Sequence, residues 1–366
     1  MQISSPIDIV YLWVDGNDDG WRAKRQNASA LLSPQGNQTI ARFGNVEGRF
    51  RDNDELRYSL RALAQFFPDH GHVYIVTDGQ VPAWLQTSDR LTVIDHRDLI
   101  PEASLPTFDS GNIESYIHRI PGLAERYFYF NDDVFFGAPV QVNDWFFDGG
   151  FYVAWSDDPE VMGHAMQTDA TSLENASRLS KKWLDTKAEA QSSTLAQHQP
   201  VHQLDAAYTH TARTFAHSPR PMLKSILMAL EDEAADLFAR VRSTVFRSWD
   251  KPTIVSDFVL RWSLAHGVAQ IKDHSHLYVA TGDALVSTAL AQLTAQFGQL
   301  DFFCINDTTD DAMPDDPRLT QVRHTLAQLL PTPSAHERVN PSFSRFWHSH
   351  PSSANIGSLV SERTTK

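Results

Sequence analysis

The sequence predicts a doubly wound, mostly parallel α/β sheet, and three observations carry that prediction. Four short apolar runs each end in polar, turn-forming residues. A segment with helical spacing separates the first two. The runs are close to continuously apolar rather than alternating, which marks strands covered on both faces.

In chain order, residues 7–14 (IDIVYLWV) run into Asp15-Gly16, and residues 73–76 into Thr77-Asp78-Gly79. Residues 91–94 run into Asp95, and residues 127–130 into Asn131-Asp132-Asp133. Aromatic and β-branched content argues for strands. Between the first two, Asp52 and Glu55 have capping-box spacing. Leu56, Leu60, Leu63 and Phe67 then recur at helical spacing, and Pro68 ends the run. Residues 113–119 read as a short helix. Further helices are expected over 172–191, 198–214, from Pro221 at a first turn to about 242, and over 255–265 and 287–297. Residues 300–305 read as one more strand. The expectation is one composite domain over 1–330 with a helical insertion near 150–245. The Ser/Thr/Pro/His-rich stretch 331–366 reads as a peripheral tail.

Composition narrows the function. The chain has 366 residues, 42% hydrophobic and 21% charged, which speaks against wholesale disorder or coiled coil. Its net charge of −14 disfavours nucleic acid as a partner. One cysteine, Cys304, excludes an internal disulfide and cysteine-rich zinc modules. The N-terminus has no leader pattern, and no run of 18 apolar residues occurs, so no transmembrane segment is expected. A cytoplasmic protein is the resulting expectation. The tail residues Phe343, Phe346 and Trp347, near Arg338 and Arg345, read either as a packed segment or as contact with the inner face of a membrane or a partner. The oligomeric state is not legible.

In doubly wound sheets ligands sit beyond the carboxyl ends of the strands. Asp15, Asp78 and Asp132-Asp133 all fall there. Paired carboxylates on such a turn suit Mg²⁺ or Mn²⁺, although Asn and Asp are also ordinary turn residues. Asp15-Gly16 reads as a ligand contact or a plain turn, and Glu55 as a cap or a catalytic acid. Residues 42–61 hold five arginines and no lysine, with Arg57 and Arg61 on one helix face. Arginine forks suit phosphate, and a salt-bridged surface is the alternative. His217, between prolines in AHSPRP, is a candidate general base or a structural histidine. Arg247 in FRSWD is equally open. His198, His202 and Asp205 have zinc-like spacing without a catalytic glutamate. Residues 301–316 hold six aspartates in no EF-hand pattern. Phosphate-binding P-loop and dinucleotide fingerprints are absent.

Together these segments resemble the Stealth family, which includes bacterial capsular-polysaccharide phosphotransferases and the GlcNAc-1-phosphotransferase that marks lysosomal enzymes. Four blocks carry the likeness: IDIVYLWVDG; a long stretch from RDNDELRYSLRAL through VYIVTDGQVPAWL and LPTFDSGNIESYIHRIPGL to YFNDDVFFG; HSPRPMLKS with FRSWD; and FFCIND. Tyr116 departs from the family, which often has His there. The resemblance implies a fold similar to nucleotide-sugar glycosyltransferases. It also implies transfer of a hexose-1-phosphate, in particular an N-acetylhexosamine-1-phosphate, from a UDP-sugar to a hydroxyl of a polysaccharide or oligosaccharide acceptor. A phosphodiester would form and UMP would leave; a metal-dependent glycosyltransferase releasing UDP is the alternative. By resemblance Asp52, His217 and Arg247 are catalytic, and Asp132 and Asp133 hold Mg²⁺ or Mn²⁺. Asp15, Gly16, Asn53, Glu55, Arg57, Asp78, Glu114, His118, Arg119, Lys224 and Asn306 would contact substrate.

Overall fold

The computed structural model describes residues 6–33, 39–193, 204–205, 208–313 and 315–338. Its centre is a five-stranded sheet in the order β3-β2-β1-β4-β8. Strands β1 (Asp8–Leu12), β2 (Val73–Thr77), β3 (Leu91–Asp95) and β4 (Arg126–Asn131) are parallel, and β8 (Arg220–Leu223) runs antiparallel on β4. The expected α/β class, mostly parallel, is borne out. In β1, Ile9, Val10 and Tyr11 are fully buried, which is why both faces needed apolar residues. Asp8 is the exception, and its carboxylate accepts the N–H groups of His72 and Ala124, both at 2.8 Å. The chain winds outward from β1 to β3, then returns to lay β4 on the other side of β1. The carboxyl ends of β1 and β4 therefore flank the point where strand order reverses.

Two smaller sheets complete the frame. One has the order β10-β11-β5, with β5 (Val134–Phe136) antiparallel to β11 (Phe302–Asn306) and β11 parallel to β10 (His276–Ala280). The other joins β6 (Phe146–Phe147), β7 (Gly150–Val153) and β9 (Ala269–Ile271). Aromatic rings weld the sheets: Phe128 lies edge-on to Phe136, Trp145 and Phe146, and Phe135 stacks on Phe303 at 4.7 Å. Asp132 and Asp133 are thus a two-residue link between strands of different sheets.

Several expected elements take another form. The 52–67 signal becomes a helix over Glu55–Phe66, but Asp52 does not cap it. Asp54, at φ 68°, is the first residue outside the helix and offers no side-chain cap. Glu55 reaches back to the N–H and side-chain amide of Asn53 instead. Residues 113–119 divide into a helix over Ser110–Glu114 and one tight turn over Ile117–Arg119. Pro221 starts no helix. It lies in β8, the edge strand, where its missing N–H costs no ladder bond. The helices follow at Lys224–Glu233 and Ala235–Val241. Because β7 and β8 also lie in 150–245, that stretch is woven into the sheets rather than inserted. Residues 208–214 are not helical, while 194–203, with His198 and His202, lie outside the described residues. The C-terminal stretch is no loose tail up to Arg338. Gln86 N–H donates to the His336 carbonyl and Arg338 N–H to the Trp84 carbonyl, both at 2.8 Å. Phe343, Arg345, Phe346 and Trp347 lie outside the described residues. Helices at Asp19–Ala30 and Pro317–Leu329 had no counterpart in the sequence reading.

Candidate active site

A cavity of about 780 Å³ opens beyond the carboxyl ends of β1 and β4, a volume suited to a nucleotide-sized ligand. The strand ends bring Leu12, Trp13 and Val14 from β1, Asn131 to Asp133 from β4, and Asn306 with Asp307 from β11 into its wall. The Asp133 carbonyl accepts the Ile305 N–H at 3.0 Å, locking the acidic turn to β11. His217, Arg49 and Arg247 line the same cavity.

The carboxylates are crowded and dry. Burial, then the Asp54 carboxylate, pushes Asp52 up to about 7. Burial raises Glu55 and Asp132 well above the usual carboxyl range, with Asp52 acting on both and Asp133 on Asp132. Asp133 rises to about 6, chiefly by burial. Like charges held this close favour a proton or a cation among them. Asp52 accepts the Asp54 N–H through Oδ1 at 2.9 Å, and the nearby Trp13, which lines the cavity, slightly offsets its rise. Both oxygens of Glu55 are taken by Asn53. The Cys304 thiol lies 3.5 Å from Asp133 Oδ2, while buried Oδ1 has no partner.

The cations are equally crowded. Burial, then Arg247, lowers Arg49 to about 9, while Arg220 is lowered mainly by burial. Ser110 Oγ accepts from both Arg49 and Arg247, and Arg247 Nε is 3.6 Å from Asp109 Oδ1. His217 is pushed to about 3 by burial, then by Arg220 and Arg247, so its imidazole is neutral at pH 7. Behind this wall buried Glu114 accepts from Tyr129 at 2.9 Å and offsets the charge of Arg49 and Arg220.

The orphaned Asp133 Oδ1 and the acid-loaded turn fit a divalent cation. No group of three His, Cys, Asp or Glu side chains forms a complete metal cage among the described residues. Mg²⁺ is commonly held by one or two carboxylates, with water and substrate phosphates completing its shell. Asp132 and Asp133 are the residues that would hold it.

Glu55, Asp132, Asp133, His217, Arg247 and Asn306 line the cavity. Asp52 and Asn53 are not in its wall but adjoin Glu55, and the Asp52 charge reaches Glu55 and Asp132. The others expected to contact substrate are neither in the wall nor part of this cluster. Asp15 accepts the Asn17 N–H at 2.8 Å and lies outside the wall, although its charge reaches Asp52. Gly16 gives its space to the protein: its N–H donates to the Phe50 carbonyl at 2.7 Å, and a Cβ there would lie 2.3 Å from that oxygen. Gly16→Ala should lower thermal stability by roughly 1–3 kcal/mol, because backbone must yield, and it should disturb Arg49 and Arg51 on either side of Phe50. An unchanged melting curve would refute that packing role. Arg57 binds Glu337 at 2.6 Å, away from the cavity. Asp78 is paired with Lys24 at 2.7 Å. His118 and Arg119 both bind Glu231. Lys224 follows β8 where that antiparallel strand pairs with the start of β4, the opposite end of the sheet. Glu114 supports the wall without entering it. Sequence reasoning missed Ser110, Arg220, His96 and Tyr278, and gave Asp307, in the FFCIND block, no role. Ser110 and Arg220 lay inside quoted blocks, but no spacing pointed to them. In the 301–316 run, Asp307 is paired with Arg51 and Asp316 caps a helix.

The site thus belongs to an α/β protein that sets buried arginines against a carboxylate-rich turn. Three Stealth conserved regions match the chain: region 1 over 5–33, region 2 over 49–153 and region 4 over 298–348, together about half of it. The chain belongs to the Stealth family. His217 and Arg247 fall outside those three stretches. Among similar proteins, exopolysaccharide phosphotransferase SCO2592 of Streptomyces coelicolor is 31% identical over 92% of this chain and 33% of its own length. Exopolysaccharide phosphotransferase CpsY of Mycobacterium tuberculosis is 30% identical over 93% of this chain and 59% of its own length. The chain thus spans between about a third and three-fifths of these relatives. Solved structures with some likeness include the galactosyltransferase LgtC, at 11% identity and TM-score 0.38 over 89% of this chain and 97% of that one. Another is the bifunctional glycosyltransferase WbbM, at 8% identity and TM-score 0.41 over 91% and 51%. Those likenesses are too loose to carry residue roles. Among the described residues no helix is long and apolar enough to cross a membrane.

Proposed function

We propose that this chain is the catalytic unit of an exopolysaccharide phosphotransferase. It moves a hexose-1-phosphate, in particular an N-acetylhexosamine-1-phosphate, from a UDP-sugar to a glycan hydroxyl in capsular or cell-surface polysaccharide synthesis. It works in the cytoplasm, at the inner face of the membrane. The observation that carries this reading is one cavity holding Arg49, Arg247 and His217 together with Asp132, Asp133 and Glu55. The names of the relatives support it.

Phosphoryl transfer asks mainly for positioning and charge stabilisation. The acceptor oxygen attacks the β-phosphorus as the bond to the bridging oxygen breaks, and UMP carries that oxygen away. Asp52 takes the acceptor proton: its carboxyl titrates near 7, and it is less fully hydrogen-bonded than Glu55. Arg49 and Arg247 hold the phosphoryl oxygens, and Ser110, bound to both, sets their spacing. Neutral His217 donates or accepts a hydrogen bond there without adding charge. Mg²⁺ or Mn²⁺ held by Asp132 and Asp133 supplies neutralisation of the donor phosphates.

The decisive experiment incubates the protein with UDP-N-acetylglucosamine, Mg²⁺ and an oligosaccharide acceptor. UMP release with a phosphodiester product is expected. UDP release would mean attack at the anomeric carbon and would overturn the reading in favour of a glycosyltransferase. Arg247→Ala and His217→Ala should each cut UMP release by about 10²–10³-fold, with melting temperatures close to that of the parent protein. Full turnover in both variants would refute the site.

A further inference from the structure

Of the two exposed aromatic side chains in the cavity wall, Tyr278 and Phe43, Tyr278 is the more exposed. It is 44% exposed, on the edge strand β10, and it lines the cavity. Its ring lies nearly parallel to the His217 imidazole, with centroids 5.5 Å apart and planes at 27°. Asp157, Asp158 and Glu160 line the cavity too, and Asp133 and Asp158 are both close enough to act on the phenol. His276, two residues before Tyr278, sits 3.4 Å from Asp157. Among the described residues, the arginines in the cavity wall all come from 42–51 and 247, and no lysine joins them.

The cavity wall therefore draws its arginines from one pair of segments, and Tyr278 with Asp157, Asp158 and Glu160 from others. An anionic donor belongs with the arginines. An exposed ring beside carboxylates suits a ligand with an apolar face and hydroxyl donors at its rim. A pyranose has that shape: its C–H face packs on an aromatic ring, and its hydroxyls donate to carboxylate oxygens. A uronate or phosphorylated sugar would meet like charge there.

Resting on the transferase reading, we propose that Tyr278 is the stacking platform for an uncharged acceptor sugar. Its contact with His217 sets the attacking hydroxyl beside the reacting phosphate. Tyr278 is a specificity-determining residue, with its ring rather than its hydroxyl doing the work.

Saturation-transfer NMR with neutral tetraoses (gluco, manno, galacto and chito) and with tetragalacturonate tests the platform without turnover. At least one neutral tetraose should receive saturation from the parent protein, and tetragalacturonate should not. Tyr278→Ala should cut that signal at least fivefold, while Tyr278→Phe and Tyr278→Trp keep it. With the best tetraose as acceptor, Tyr278→Ala should raise acceptor KM at least tenfold and donor KM less than twofold. Equal rises in both KM values, equal NMR signal in Tyr278→Ala, loss in Tyr278→Phe, or no neutral sugar bound would each overturn the proposal. Failure of the transferase reading looks different: the parent protein would release UDP, or nothing, while the NMR result stood. A melting curve for each variant guards against misfolding, which a half-exposed residue on an edge strand should not cause.

Discussion

Asp52→Asn should lose at least about 10²-fold in kcat and become more heat-stable at the same time. The loss follows from removing a general base, which contributes about 10²–10⁴-fold. In the parent protein, kcat/KM should rise roughly tenfold per pH unit below about 7 and level off above, because Asp52 in the free protein titrates there. The variant should lack that limb. The stability gain has the opposite sign for a stated reason. Folded Asp52 keeps its proton up to about 7, whereas in the unfolded chain it is released near 3.8. Between those values the folded state binds more protons, so stability falls as pH rises through the window, and the whole penalty is present at pH 8. Asparagine cannot ionise and escapes it. A melting temperature at least about 3 °C above the parent at pH 8, with little difference at pH 4, is the expected pattern. Retained turnover would pass the base role to His217. A gain over the parent no larger at pH 8 than at pH 4 would mean that Asp52 is not held under strain by burial and its acidic neighbours.

What the sequence made legible was local. The turn after 127–130 had to end a strand, and buried parallel strands present such turns on one side of the sheet, so the sequence already places Asp132 and Asp133 at a carboxyl end. Direction was not local. Lys224 was expected at the site by resemblance alone, and Pro221 beside it looks like a helix start. Its use in an antiparallel edge strand depends on β4, some 90 residues earlier, and that reversal carries Lys224 to the far end of the sheet. The arginine run shows the same limit. Spacing put Arg57 and Arg61 on one helix face but could not say what that face meets. Arg42, Arg49 and Arg51, before the helix, have no periodicity, yet they are the members of the run that line the cavity. Asp15-Gly16 read as a ligand contact or a plain turn, and the space beside Gly16 is filled by Phe50.

The partner of that helix face sets up the largest expected effect on stability. Arg61 donates to Glu337 through Nε at 2.7 Å and Nη2 at 2.8 Å, and its Nη1 donates to the Leu330 carbonyl at 2.8 Å. Arg57 adds a bond at 2.6 Å to the same carboxylate. The side chains of Arg61 and Glu337 are 8% and 3% exposed. Glu337 is held below the usual carboxyl range by its partners, Arg61 first among them, against the opposing cost of burial. Removing one partner of a buried pair leaves the other charge unpaired, which costs more than the intact pair is worth. Glu337→Gln should therefore destabilise by about 2–4 kcal/mol at pH 7, and Arg61→Met combined with Glu337→Gln by less than Glu337→Gln alone. The depressed carboxyl also fixes the pH sign: its stabilisation is present above the unfolded value of 4.5 and is lost as pH falls below it. The gap between parent and Glu337→Gln should then close on acidification. The helix pinned by this clamp begins at Glu55, beside Asp52 and Asn53. Loosening the clamp should therefore also lower kcat before the protein melts, measured at a temperature where both proteins remain folded. A Glu337→Gln protein with parental stability would mean that the 334–338 segment merely rests on the helix, and that the acidic cluster is held by the sheet alone.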